Sequence, residues 1–325
     1  MSSILLRPLI LALLALAPAA AAQDFPLAID HAFGRTVIPE RPVRVATVAW
    51  ANHEVPLALG VVPVGFARAN FGDDDGDGLL PWVAERLEEL AAEAPPLFDE
   101  GDGIDFEAVA ASAPDVILAA YSGLSRADYE TLSEIAPVVP YREAPWATDW
   151  REMIRLNGAA MGMAAEGEAL IGRIEGEIAE TVARHPEIRG RTAMFATHLD
   201  IRDLSVIRFY SATDTRVKFF EDLGLVTPES VREASSGGTY AAEASAERID
   251  RFDDVDILVT YGGEPLRERV SENPLTSRMK AVSQGALVLL GNDPVGTAAN
   301  PTPLSISWVL EDYVGRLAEA ARRVP

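Results

Sequence analysis

WATDWREMIRLNGAAMGMAAEGEALIGRIEGEIAETVARHP, residues Trp146 to Pro186, is the stretch from which the rest of the chain takes its meaning. It reads as one long helix. Thr148 or Asp149 can cap its start, since either side-chain oxygen can accept a first-turn amide. Leu170, Ile171, Ile174, Ile178 and Val182 recur at spacings of three and four, while Glu168, Glu175, Glu177 and Glu180 fall on other faces. Pro186 ends it. About 35 residues at ~1.5 Å each make a rod of roughly 50 Å. Gly158, Gly162, Gly167, Gly172 and Gly176 lower its intrinsic propensity, so packing must hold it together. A coiled-coil segment is the alternative, but the apolar seam is short and strand signals flank it. Similar strand–helix alternation lies on either side, so the helix is expected to join two lobes.

Working outward, Asp24 to Arg41 reads as a hairpin lead-in. Arg44–Ala49 and Val61–Phe66 read as strands around a short helix, His53–Leu59, ending at Gly60. Helices are expected at Trp82–Ala92, Asp105–Ser112 and Arg126–Ile135, with strands at Asp115–Ala120 and Val138–Pro140. Beyond Pro186, strands are expected at Arg191–Thr197, Val255–Thr260 and Ala286–Leu290. Helices are expected there at Thr215–Leu223, Ala246–Arg251 and Leu304–Arg323. This alternation predicts an α/β chain with central parallel sheets covered on both faces. The expected division is a leader over 1–22, an N-terminal lobe over 23–147, the bridging helix over 148–185 and a C-terminal lobe over 186–325.

Composition sets the boundaries of the reading. Hydrophobic residues are 48% and charged residues 24%, ordinary for a folded chain, and 325 residues suit two domains. Arg7, the apolar run Pro8–Ala17 and Ala20-Ala21-Ala22 read as a secretory leader cleaved before Gln23. No stretch is long and apolar enough to read as a membrane span. There is no cysteine, which excludes disulfides, thiolate catalysis and a lipid carried on an N-terminal cysteine. An exported protein without an anchor needs an outer membrane to retain it, so the expected compartment is the Gram-negative periplasm. Fifty acidic against 28 basic residues give a net charge of −22, which disfavours nucleic acid and anionic membranes as partners. Solubility in a salty habitat accounts for much of that charge equally well.

The halves repeat one another at a single unit. Glu107 opens a short helix, Asp115 opens a buried strand, and the strand runs into Tyr121-Ser122-Gly123. Glu247, Asp256 and Tyr261-Gly262-Gly263 follow the same order. Parallel sheets bind ligands beyond the carboxyl ends of their strands, so both Tyr-x-Gly turns are expected at a cleft between lobes. The two glutamates are expected to be exposed, away from it.

Arg44–Val48, the Leu59–Gly65 run and the two Glu–Asp units together resemble the periplasmic ferric-siderophore binding proteins of ABC importers, the class III binding proteins whose two lobes are bridged by one long helix. Pro301–Ser305 and Trp82 resemble one iron-siderophore branch of them. The resemblance implies a monomeric binding protein with no enzymatic activity and no cofactor, its ferric siderophore being cargo for an ABC permease in the inner membrane. It implies that Glu107 and Glu247 dock arginines of that permease, as exposed carboxylates can. First-turn glutamates favoured by the helix dipole are the plainer alternative. It further implies a shallow cleft of aromatic and arginine side chains, for which Trp50, Arg68, Tyr121, Trp146, Tyr210, Tyr240, Tyr261 and Trp308 stand at expected strand ends. Before Glu107, where hydroxamate-binding relatives carry an arginine, the chain reads Phe98-Asp99-Glu100-Gly101. An arginine-clamped anionic catecholate is therefore disfavoured, and a neutral or cationic hydroxamate-type chelate suits the acidic balance. The single bridging helix implies modest lobe closure.

Rival chemistries have weaker signals. Zinc or manganese could be held by His53 and His198 with Asp200 and Asp293, but the chain has only four histidines. Haem and cobalamin are the other cargo alternatives. Asp73, Asp75, Asp77 and Gly78 match the start of a calcium loop, but Ala84 stands where its last acidic ligand belongs. No nucleophile elbow, phosphate loop or HExxH marks an enzyme, and Ser235–Gly238 reads as a loop.

Overall fold

Two antiparallel strands, β1 (Leu27–His31) and β2 (Gly34–Ile38), lead off a computed structural model that describes residues 24–235 and 239–325. The leader expected over 1–22 and most of the Ser235–Gly238 loop lie outside the described residues. Next come β3 (Val45–Thr47), α1 (Glu54–Ala58), β4 (Phe66–Ala67), α2 (Pro81–Glu89) and β5 (Leu97–Phe98). They are followed by α3 (Phe106–Ala111), β6 (Val116–Ala119), α4 (Arg126–Ser133) and β7 (Val138–Pro140). β3, β6 and β7 form a parallel sheet in that spatial order. The strand expected over Val61–Phe66 shrinks to β4, paired with β5 and tied to β3 by one bridge, Ala46 to Gly65.

The stretch expected as a single rod is two helices, α5 (Trp150–Ala160) and α6 (Ala164–Ala183). Asp149 does cap the first, accepting the Glu152 amide at 2.9 Å. Gly162 then reverses the chain at φ +68°, a conformation that costs a side-chain-bearing residue energy. The helices run back along each other, Arg155 reaching Glu168 and Arg151 reaching Glu175, each at 2.7 Å. A Cβ on Gly167 would stand 3.3 Å from Ile154 Cγ2, so this glycine permits close approach where sequence reading saw only lost propensity. The 20-residue α6 carries the chain from one sheet to the other, and its length is about 30 Å rather than 50 Å.

Beyond it lie β8 (Ala193–Ala196), β9 (Val206–Tyr210), α7 (Thr215–Asp222), α8 (Glu229–Ala234), β10 (Ala241–Ser245) and β11 (Ile257–Tyr261). α9 (Glu264–Glu272), α10 (Lys280–Ser283), β12 (Leu287–Leu290), α11 (Pro294–Ala298) and α12 (Ser305–Ala321) complete the chain. The sheet order is β10-β9-β8-β11-β12. Its β8, β11 and β12 are parallel as expected, whereas β9 and β10 pair antiparallel and were not foreseen. No tight turn joins those two strands, since α7 and α8 lie between them, so no hairpin signal marks them. The segment expected as a helix over Ala246–Arg251 is a 3₁₀ stretch, Ala246–Phe252.

The repeated Asp has a structural job in both halves. Asp115 accepts the amides of Val43 and Arg44, both at 2.9 Å, and Asp256 accepts that of Thr192 at 3.2 Å. Each thereby fixes the start of one central strand against its parallel neighbour.

Two acidic residues fasten the lobes together at their base. Glu54 is fully buried and accepts Trp82 Nε1 at 2.7 Å and the Leu304 and Ser305 amides at 2.9 and 3.4 Å, at the start of α12. Burial raises its pKa, and those hydrogen bonds oppose the rise. Asp222 of α7 accepts Trp150 Nε1 and Arg151 Nη1, both at 2.9 Å.

Candidate ligand cleft

The carboxyl ends of β3 and β6 face those of β8 and β11 across a cleft of about 720 Å³. Each wall follows from the local chain. After β3, Ala49 and Ala51 take φ of 61° and 62°, which for non-glycine residues costs about 1–3 kcal/mol each. Two side chains hold that turn. Asn52, fully buried, donates to the carbonyls of Val48 and Tyr121, both at 2.8 Å, and accepts the Tyr121 amide at 3.0 Å. Glu100 accepts the Ala49 amide at 2.9 Å. Trp50 is thus set into the cleft, where its Nε1 is buried without a partner among the described residues.

Tyr121 follows β6 and meets Trp146 edge-on, the ring centroids 5.2 Å apart. Gly123 explains the glycine of the first Tyr-x-Gly turn, because a Cβ there would lie 2.5 Å from Trp146 Nε1. Across the cleft, Tyr261 ends β11 and stacks on His198 at 4.7 Å. Arg216 lies 3.9 Å over the ring of Tyr210, bonds Asp214 at 3.0 Å and donates to the Tyr261 hydroxyl at 3.4 Å. Burial opposes its charge, but Asp214 together with Tyr261, Tyr121 and Tyr210 raises the pKa, so the guanidinium stays charged. Burial also raises the Tyr121 and Tyr210 hydroxyls, which remain protonated hydrogen-bonding groups.

Trp50, Arg68, Tyr121, Trp146, Tyr210, Tyr240 and Tyr261 all line this cleft, as expected from strand ends. Trp308 does not. It packs on Trp82 at 5.2 Å and donates to Glu85 at 3.3 Å, because it lies on α12 behind the lobes rather than beyond a strand. The sequence reading overlooked Arg216 altogether, and gave Glu100 only a place in a departing motif. Arg216 stands two residues after Asp214, just past β9, and the failure to see that strand hid its position.

The residues weighed for zinc or manganese do not gather. His53 lies flat on Phe66 at 4.3 Å, and burial lowers its pKa to about 3. Asp200 pairs with Arg202 at 3.3 Å, and Asp293 caps α11 through the Gly296 amide at 2.8 Å. Among the described residues, only Asp73, Asp75 and Asp77 form a group of three potential ligands. Their oxygens accept amides of their own loop, Gly76 at 2.7 Å and Gly78 at 2.8 Å on Asp73, and Leu79 at 2.7 Å on Asp77, which is how a solvated turn is built.

Glu107 and Glu247 are both exposed, in the first turns of α3 and of the 3₁₀ stretch capped by Asp105 and Ser245. Neither carboxylate has an ion pair or side-chain hydrogen bond among the described residues. Those residues contain no helix long and apolar enough to cross a membrane.

Two lobes meeting at an aromatic cleft define a class of binding protein, and residues 45–294 match the periplasmic binding protein family, to which this chain belongs. One similar solved structure is that of PiaA from Streptococcus pneumoniae TIGR4 in complex with ferrichrome. It is 42% identical with a TM-score of 0.88, over 92% of this chain and 99% of that one. A curated relative, the probable siderophore-binding lipoprotein YfiY of Bacillus subtilis, is 23% identical over 79% of this chain and 78% of its own. SirA of Staphylococcus aureus, complexed with staphyloferrin B, shares the fold at 19% identity and a TM-score of 0.69, over 91% of this chain and 98% of that one.

Proposed function

We propose that this protein captures a ferric siderophore of the hydroxamate type in the cleft and delivers it to an ABC permease for iron uptake. It acts in the periplasm, as a monomer and without catalysing a reaction, after removal of a leader over 1–22. Its lobes are 23–147 and 186–325. The observation that carries the reading is the cleft's charge balance on aromatic walls. Arg216 is neutralised by Asp214, which leaves Arg68 opposed by Glu100, with Asp128 a further carboxylate in the lining. A neutral ferric trihydroxamate meets no net repulsion there, whereas a trianionic ferric catecholate finds no surplus of cations. The tyrosine hydroxyls and Arg68 can bond chelate oxygens, and the rings supply contact area at small entropic cost. The ferrichrome in the 42% identical PiaA structure supports the same chelate class. Glu107 and Glu247, exposed and unengaged among the described residues, offer the permease one carboxylate per lobe.

Calorimetric titration with a neutral ferric trihydroxamate and a trianionic ferric catecholate tests the assignment. Saturable, sub-micromolar binding of the first and much weaker binding of the second is expected. The reverse order would overturn the hydroxamate assignment, and tight binding of zinc or manganese salts alone would overturn the siderophore.

A further inference from the structure

Arg68 and Glu100 leave neighbouring strands of one small parallel pair, in which Ala67 is level with Phe98. Both line the cleft, yet no ion pair joins them among the described residues. Of the other cleft charges, Asp214 holds Arg216, and Asp128 takes the Ser125 amide and hydroxyl on one oxygen in the capping box of α4. Glu100 has one protein donor, the Ala49 amide, which leaves most of its acceptor capacity facing the cleft. A ligand spanning the two strand ends therefore meets a donor at Arg68 and an unfilled acceptor at Glu100.

We propose that Glu100 is a specificity-determining residue that favours ferric hydroxamates carrying a cationic amine at their rim. This rests on the reading of the cleft as a ferric-hydroxamate site and adds which member of that class binds best. An ammonium placed against a partly buried carboxylate gains a charge-assisted hydrogen bond that an acetylated amine cannot match. Burial lifts Glu100 to about 7, against the pull of the Ala49 amide, with Asp105 adding to the rise. The other titratable groups around it are Asp99 and Asp102 on its own segment, Arg68 beyond β4, Asp128 on α4, and His53, which burial keeps neutral. The preference should hence be strong at pH 8 and weak at pH 5.

The test uses one pair of probes, a linear ferric trihydroxamate with a free terminal amine and the same chelate N-acetylated. The native protein should bind the amine form about tenfold tighter at pH 8 and lose that preference at pH 5. Glu100→Gln, which keeps an acceptor for Ala49, should bind both forms alike. Equal affinities in the native protein at pH 8 would overturn the proposal. So would a Glu100→Gln loss shared equally by both chelates, because Glu100 would then act only through the Ala49 turn. If neither chelate binds, the hydroxamate reading itself fails and this proposal falls with it.

Discussion

Replacing His53 with Phe should make the protein less sensitive to acid. The imidazole is buried flat against Phe66, and its Nδ1 has no partner among the described residues. Burial lowers its pKa from the ordinary 6.5 to about 3. The unfolded chain therefore takes up a proton below about pH 6.5 that the folded chain refuses until about pH 3, so folded stability falls as pH falls through that window. The full linkage is about 5 kcal/mol, of which about 2 kcal/mol is lost between pH 7.5 and pH 5. Phe keeps the stacking and has no proton to bind. Urea unfolding followed by circular dichroism at both pH values should show native stability falling by about 2 kcal/mol relative to His53→Phe. Parallel profiles for the two proteins would refute the reasoning. Glu100 carries the opposite sign, because its raised pKa gives stability at low pH that is lost as pH rises through about 7. The two contributions oppose each other across this window, so each is read from the difference between the native and variant profiles.

Arg216→Met should destabilise the fold by about 3–5 kcal/mol, since it leaves Asp214 buried and unpaired. It should also weaken chelate binding, and Asp214→Asn in the same background should recover stability without recovering affinity. The double variant Glu107→Ala, Glu247→Ala should keep full affinity and lose iron uptake in cells; an affinity loss would remove these residues from docking. Tyr240→Ala should weaken chelate binding while Trp308→Phe leaves it unchanged, the reverse pattern contradicting the placement of Trp308 outside the cleft.

Periodicity and strand ends carried much of this in the sequence, and the failures have physical causes. Trp50, Arg68, Tyr121 and Tyr261 line the cleft because a residue at or just past the end of a parallel strand has little choice of direction, whereas Tyr210 and Tyr240 reach it from the antiparallel β9–β10 pair and Trp146 from a loop. Trp308 failed because it lies on a helix, where position along the chain does not fix a face toward the cleft. The rod was misread at Gly162, since one left-handed glycine turns a continuous apolar pattern into a helical hairpin without breaking its period. β9 and β10 pair across 30 intervening residues, and no local turn announces such a partner. Their absence hid Arg216. Glu54 escaped notice because its partners, Trp82 and Leu304, come together only in the folded chain.

The central claim is that a ferric chelate, not a bare metal, sits between the two lobes. Trp50 and Trp146 line the cleft while Trp82, Trp150 and Trp308 do not, so tryptophan fluorescence reports its filling. Titration with a neutral ferric trihydroxamate should give saturable quenching that is largely lost in Trp50→Phe, Trp146→Phe, with no response to zinc or manganese salts. Quenching by either metal alone, or by the chelate undiminished in that variant, would contradict the account.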